Sequence, residues 1–272
     1  MRSARLAAAL LPTVWLAGCL QSAVLIKVGA DGSGTIDTQT LMTSAAVAQL
    51  RQFTGALGGD AKPVEFFTEA QAREIAAGMG DGVVLTGTRP LRTASAEGRE
   101  AIYRFVDVTK LRLSQVPATP GGGAGAVGGL GLSAQNEFIT IGLARNAAGN
   151  SVLTLHLGAN PLSAAAGQTG AADAGRGMPL PADQIALMQP MLAGMRIAIR
   201  VEPAGRLVKT SSPYVQGNTV TLFDIDLDTL FGDPAFQRLQ SAKTSKDAKD
   251  ALKDLKGAKL NLDPDITIEF AP

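Results

Sequence analysis

Two residue types that carry much of protein chemistry occur once each in this 272-residue chain, as Cys19 and His156. Any Ser-His-Asp or Cys-His mechanism must therefore run through His156. That residue sits in Val152–Leu157, where alternation puts Leu153, Leu155 and Leu157 on one side and His156 with Thr154 on the other. It reads as a solvent-face residue of a half-buried strand. No G-x-S-x-G or P-loop spacing is present. Cys19 closes the stretch Leu16-Ala17-Gly18-Cys19, behind a basic head and an apolar run, which suits a thiol that is alkylated rather than one that attacks a substrate. Catalytic carboxylate pairs are made by folding and leave no spacing to read.

Three groups have the composition of metal ligands. Asp31, Ser33 and Asp37 fall on ligand positions of an EF-hand-like loop with Gly34 at its turn, but Gly29 and Thr40 occupy the places where that loop needs acids. The preceding run is β-branched where an EF-hand requires a helix, so a hairpin turn is the expected meaning. Asp224, Asp226 and Asp228 alternate, and in a strand they share a face on which a cation can sit. At a strand-to-helix junction the same residues serve as solvated caps, and that is the expectation here. Met188, Met191 and Met195 lie three and four apart, a thioether set for copper(I) or, more simply, one apolar helical face broken at Pro190. No metal or cofactor is expected from any of them.

The segment before Cys19 has three parts in order. Arg2 and Arg5 give a positive head, Leu6 to Ala17 an apolar core broken only by Pro12 and Thr13, and Ala17-Gly18 a small-residue end. A core that short belongs to a cleaved export signal, not to a spanning helix. Residues 16–19 resemble the lipobox of bacterial lipoproteins. The resemblance implies cleavage between Gly18 and Cys19, a diacylglyceryl thioether on Cys19 and acylation, such as palmitate, at the new amino terminus. The alternative is an ordinary secretory signal with an incidental cysteine, but a lone cysteine in an exported chain has no internal disulfide partner, whereas a lipidated one needs none. Leu20 follows in place of Asp, which in such families implies the outer membrane, facing the periplasm.

Removing residues 1–18 takes away two arginines and no acid, so the charge passes from +1 to −1 over the remaining 254 residues. That is enough chain for a proper core, read as a single body over 19–272. The balance suggests no nucleic-acid partner and no charge-driven binding to anionic lipid. The membrane contact is expected through lipid on Cys19.

The elements that position these residues read mostly as hairpins. Val24–Val28 and Thr35–Thr38 flank turn chemistry at Asp31–Gly34. Ser44 caps a helix with Val47, Leu50, Phe53 and Leu57 at helical spacing, and Thr68 with Gln71 makes a capping box for a second. Strands follow at Val83–Thr86 and Ala101–Val106 around a turn at Ala96-Glu97-Gly98. Phe138–Leu143 and Val152–Leu157 pair around Asn146–Asn150. Gly/Ala-rich stretches at 117–135 and 158–181 read as flexible loops, and a short helix spans Pro190. Strands at Met195–Val201, Arg206–Lys209 and Thr219–Phe223, a helix over 233–256 and a strand at Ile266–Phe270 complete the chain. The expected class is α+β, antiparallel and hairpin-rich, with about four helices besides the signal helix. An echo between Val106–Leu111 and Ile225–Leu230 suggests two related sheet halves.

The early Asp31-Gly32-Ser33-Gly34 hairpin and the late Gln216-Gly217-Asn218-Thr219-Val220-Thr221 strand entry resemble envelope lipoproteins of the LppM type. This resemblance implies a lipid-tethered sheet domain and transfers no active residue. The function expected is a non-enzymatic binding or structural module with an envelope protein or lipid partner. A periplasmic carrier of a small apolar ligand or metal, or a hydrolase with an unrecognised carboxylate site, are the alternatives.

Overall fold

The computed structural model describes residues 20–44, 46–48, 68–114, 137–157, 194–227 and, with interruptions, 229–272. The signal segment with Cys19, most of the helix expected after Ser44, both Gly/Ala-rich stretches, the helix around Pro190 with Met188 and Met191, and Asp228 lie outside the described residues.

The expected α+β class is overturned: the described residues are 56% strand and 18% helix. Among the described residues, thirteen strands form two sheets. They are β1 (Leu20–Val28), β2 (Gly34–Thr43), β3 (Val84–Arg92), β4 (Ala96–Phe105), β5 (Leu113–Ser114), β6 (Glu137–Arg145) and β7 (Ser151–Leu157). The later ones are β8 (Arg196–Pro203), β9 (Arg206–Thr210), β10 (Val215–Gln216), β11 (Thr219–Asp226), β12 (Ala258–Leu260) and β13 (Asp265–Ala271). The helices described from end to end are α1 (Glu69–Gly78), a 3-10 turn at Val108–Lys110 and α2 (Pro234–Gln240). Of the long helix expected over 233–256, the described residues show α2 and helical residues at 247, 250, 251 and 253, and the chain turns into β12 at Gly257.

The larger sheet runs β10-β11-β8-β1-β2-β4-β3, with β12 beside β10 on the same edge of β11. The smaller runs β5-β6-β7-β13-β9. Every pairing is antiparallel except β1 with β8. Two related halves are not what the sheets are: the larger joins strands from the first and last parts of the chain, and the smaller joins strands from its middle and end.

Alternation fixes the faces. On β1, Ile26 and Val28 are buried toward the core and Lys27 points the other way. Ile36, Tyr103, Phe105, Ile199 and Val201 continue this inner face across the larger sheet, and Leu153, Leu155, Ile266, Ile268 and Phe270 face them from the smaller one. All belong to one core cluster, so the sheets share the apolar burial that stabilises each. Asn218 ties the corner between them, donating to the Pro203 and Gly205 carbonyls at 2.6 and 2.9 Å and accepting from the Leu207 amide at 2.8 Å.

Where helices do form, local chemistry explains them. Thr68 and Gln71 make the expected reciprocal cap of α1: the Gln71 amide reaches Thr68 Oγ1 at 3.2 Å and the Thr68 amide reaches Gln71 Oε1 at 2.7 Å. Asp107 opens the 3-10 turn by accepting from the Thr109 amide at 3.0 Å.

One expected turn is misplaced. Ala96-Glu97-Gly98 lies inside β4, and the chain reverses at 93–95 instead. Gly98 is there because the backbone of β2 passes so close that a Cβ would stand 1.9 Å from the Thr40 oxygen. Glycine in a strand marks such an approach as readily as a turn. Pro90 is tolerated because β3 is an edge strand.

Gly98→Ala is expected to cost about 1–3 kcal/mol in chemical denaturation, the range for overpacking. Gly78→Ala, at a helical position with open space around it, is expected to be neutral or slightly stabilising. Equal effects of the two would show that the β2–β4 approach does not constrain residue 98.

Candidate functional site

The outer face of the larger sheet, turned away from the core, carries several of the charge pairs among the described residues. The registers set Gln21, Ala23, Leu25 and Lys27 of β1 beside Arg196, Ala198, Arg200 and Glu202 of β8. On the other side stand Leu41, Gln39, Asp37 and Thr35 of β2. Lys27 Nζ pairs with Asp37 at 2.9 Å, which with that bond raises the lysine's pKa. Further out, Arg89 pairs with Glu100 across β3 and β4. Cross-strand pairs of opposite charge are the ordinary stabilisers of an open sheet face.

One group on this face is different because it is buried. Asp224 of β11 has 7% side-chain exposure, under Arg196 and Arg200 at 52% and 36%. Arg196 donates from Nε to Oδ1 at 2.9 Å and from Nη2 to Oδ2 at 3.0 Å, a two-pronged grip. Arg200 Nη2 adds a third bond to Oδ2 at 3.2 Å. Burial pushes the Asp224 carboxyl up, but the hydrogen bonds and charge of Arg196, then of Arg200, outweigh it and hold its pKa below the ordinary aspartate value.

A β-bulge places Asp224 there. Thr221 pairs with Arg200 and Phe223, not Leu222, with Ile199, so one extra residue enters β11. Without it Asp224 would fall opposite Ile197 and face the core; with it Asp224 falls opposite Ala198 on the outer face. The carbonyls loosened by the bulge are satisfied by buried neighbours. Asn261 Nδ2 donates to the Thr221 and Leu222 oxygens at 3.0 and 2.9 Å, and Ser212 Oγ reaches Thr221 at 3.4 Å.

Beside the cluster lies a cavity of about 180 Å³. Arg196 and Arg200 form one wall, Gln21 and Gln39 supply amides, and Ala23 and Ala198 shape its apolar part. The two guanidinium groups carry five N–H donors each. Three bonds to Asp224 leave donors to spare for a ligand. Such a lining can bind and orient an acceptor-rich group; it brings no nucleophile next to a general base.

The other candidates are placed apart. Asp31 accepts from the Ser33 amide and hydroxyl at 3.0 and 2.8 Å and so braces its own turn, with Gly32 at φ +85°. Asp37 is in the middle of β2, paired to Lys27. Asp226 shares a face with Asp224 but caps the next turn, accepting from the Thr229 amide at 3.2 Å. Met195 is buried in the core cluster. Among the described residues no three of His, Cys, Asp and Glu stand where one metal ion would join them. His156 is exposed on β7, its Nδ1 2.5 Å from Asp265 of β13. Sequence alone does not single out Arg196 and Arg200, though their i,i+4 spacing, an even separation in an apolar strand, is a readable sign of a shared polar face.

No protein-family model matches the chain, and no curated protein matches it. Among solved structures it is similar to the folded domain of the Mycobacterium tuberculosis LppM protein, determined by NMR. The two are 9% identical, with 79% of this chain and 86% of that chain covered and a TM-score of 0.32. This is a weak structural resemblance, and it ties none of the residues above to a role.

Asp224→Asn is expected to lower stability by about 1–3 kcal/mol near neutral pH, because two guanidinium groups then face each other without their counter-ion. The folded-state pKa of Asp224 is lowered, so its contribution is present above the unfolded aspartate value and is lost as pH falls through the folded one. Acid titrations of stability should therefore differ between the two proteins near neutrality and converge only in the acid range below the usual aspartate pKa. Parallel curves throughout would remove Asp224 from the account.

Proposed function

We propose that the chain is a lipid-anchored, non-enzymatic binding module of the cell envelope, tethered through Cys19 and presenting the outer-face cavity to its ligand. The observation that carries this reading is the place of Leu20. It follows the lipobox cysteine directly, is 7% exposed, and already pairs with Met42 in β1. Cys19 is thus bonded directly to the first residue of the sheet. Acyl chains on its sulfur and amino terminus, each buried methylene contributing about 0.8 kcal/mol, would hold the body on a bilayer without help from its near-neutral charge.

Three features support binding over catalysis. The buried acid is neutralised by two arginines rather than left to move protons, the lone histidine is distant in sequence and strand from the cavity, and the cavity is lined by amides, guanidinium groups and small apolar side chains. No helix among the described residues is long and apolar enough to cross a membrane. The outer membrane, facing the periplasm, is the proposed location, on the strength of Leu20 after the cysteine. The proposed partner is an envelope protein or lipid.

Cys19→Ala is expected to move the protein from the membrane fraction to the soluble fraction, or to leave it as unprocessed precursor. Mass spectrometry of the unsubstituted mature protein should find a diacylglyceryl-modified Cys19 at its amino terminus. A bare thiol there, or a start elsewhere, removes the tether from this reading.

A further inference from the structure

The cavity walls and their position relative to residue 19 bear on what is bound. Its two charged wall residues are both arginine. The acids nearby are engaged elsewhere: Asp224 beneath the guanidinium groups, Asp226 by the Thr229 amide, and neither lines the cavity. Glu202, one step beyond Arg200 on the same face, accepts from the Thr219 hydroxyl at 3.4 Å. Asp37 is held by Lys27. A ligand entering the cavity therefore meets guanidinium and amide donors before it meets any carboxylate. Planar guanidinium groups with several N–H donors suit the oxygens of phosphate better than a point charge does. About 180 Å³ admits a phosphate group with a short polar attachment and little more.

Distance along β1 adds the second argument. At about 3.3 Å per residue, Gln21 and Ala23 lie roughly 3 and 10 Å along β1 from Leu20, the residue bonded to Cys19. A bilayer about 30 Å thick in its core and 40–45 Å overall leaves a polar layer of roughly 5–8 Å on each side. If acyl chains on residue 19 enter the core, the cavity stands within a few residues' length of that layer.

From this we infer that the cavity between β2, β1 and β8 is a phosphate-binding site, with Arg196 and Arg200 as its ligand-contacting residues, used on a phosphate carried by a lipid headgroup or free at the membrane surface. The inference rests on the tethered reading for its location but not for its chemistry.

The test uses the full-length protein in a non-ionic detergent, titrated by calorimetry with inorganic phosphate and, separately, with dihexanoyl phosphatidylglycerol below its micelle concentration. Saturable binding of at least one of the two is expected. Arg200→Gln should weaken it about tenfold or more, the loss of a charge-assisted hydrogen bond, while Arg196 keeps its two bonds to Asp224. Ala23→Leu, which adds bulk to the cavity wall and changes no charge, should abolish it. Melting temperatures near that of the unsubstituted protein show that both variants fold; if Ala23→Leu does not, the tenfold loss in Arg200→Gln decides alone. Binding of both probes identifies free phosphate as sufficient, and binding of the lipid alone assigns the headgroup. Absence of binding by either probe, or binding unchanged in Arg200→Gln, overturns the site. An acylated Cys19 with no phosphate binding leaves the tether standing and the site fallen; phosphate binding with a bare Cys19 does the reverse.

Discussion

Strand β1 is paired on both sides from Gln21 to Val28, antiparallel to β2 and parallel to β8, and the arrangement of the outer face follows from that. A strand paired on one side can peel or slip; one paired on both is fixed in register, because a shift by one residue would send Ile26 and Val28 outward and Lys27 into the core. The parallel partner comes from nearly the far end of the chain. This pairing sets Gln21 beside Arg196 and Ala23 beside Ala198, while β2 brings Gln39 to the other side of Ala23. The cavity exists only where these three strands meet.

Asp224 shows how the sheet accommodates a buried charge. Taking a carboxylate from water costs several kcal/mol unless charge and hydrogen bonds replace the lost hydration. Two guanidinium groups do so here, and the bulge in β11 decides that the carboxylate meets them rather than the apolar core. The bulge in turn needs partners for its carbonyls, supplied by Asn261 and Ser212. Removing Asn261 would leave two buried carbonyl oxygens without this donor, so the cluster depends on a residue on the opposite side of β11 from the arginines' own strand. No buried side-chain nitrogen or oxygen is left without a partner among the described residues.

Much of the local structure was legible because local forces decide it. The hairpins at Asp31–Gly34 and Asn146–Asn150 were read from turn chemistry, and the α1 cap from the Thr68–Gln71 spacing, since the bonds that make them join near neighbours. The balance of classes was not, because it depends on which distant strands join each sheet: β12, for one, forms where Gly257 at φ +77° turns the chain back onto β11. Gly98 misled for a related reason, since the carbonyl that excludes a Cβ comes from Thr40, far away in sequence. The acid triplet at 224–228 is visible in the sequence, but its spacing alone favours caps, whereas Asp224 is a buried strand residue gripped by Arg196. The adjacent apolar pair Leu222-Phe223 breaks the alternation and is the visible trace of the bulge. What no spacing reveals is that β8 lies next to β11, and hence that Arg196 and Arg200 are Asp224's partners.

The strength of the proposed site can be bounded from the charges around it. Two guanidinium groups share one buried carboxylate, and Asp226 stands across from Arg196, so the field beyond the cavity is weak. At physiological ionic strength it fades within about 8 Å. A body of charge near −1 does not steer anions from solution. Recognition of phosphate by this cavity is therefore a contact interaction of modest affinity. Modest affinity suffices for a tethered protein, because a short link makes the encounter intramolecular, at effective concentrations that reach the millimolar range. On this reading the anchor and the cavity are complementary: the tether supplies the proximity that the site's own charges do not.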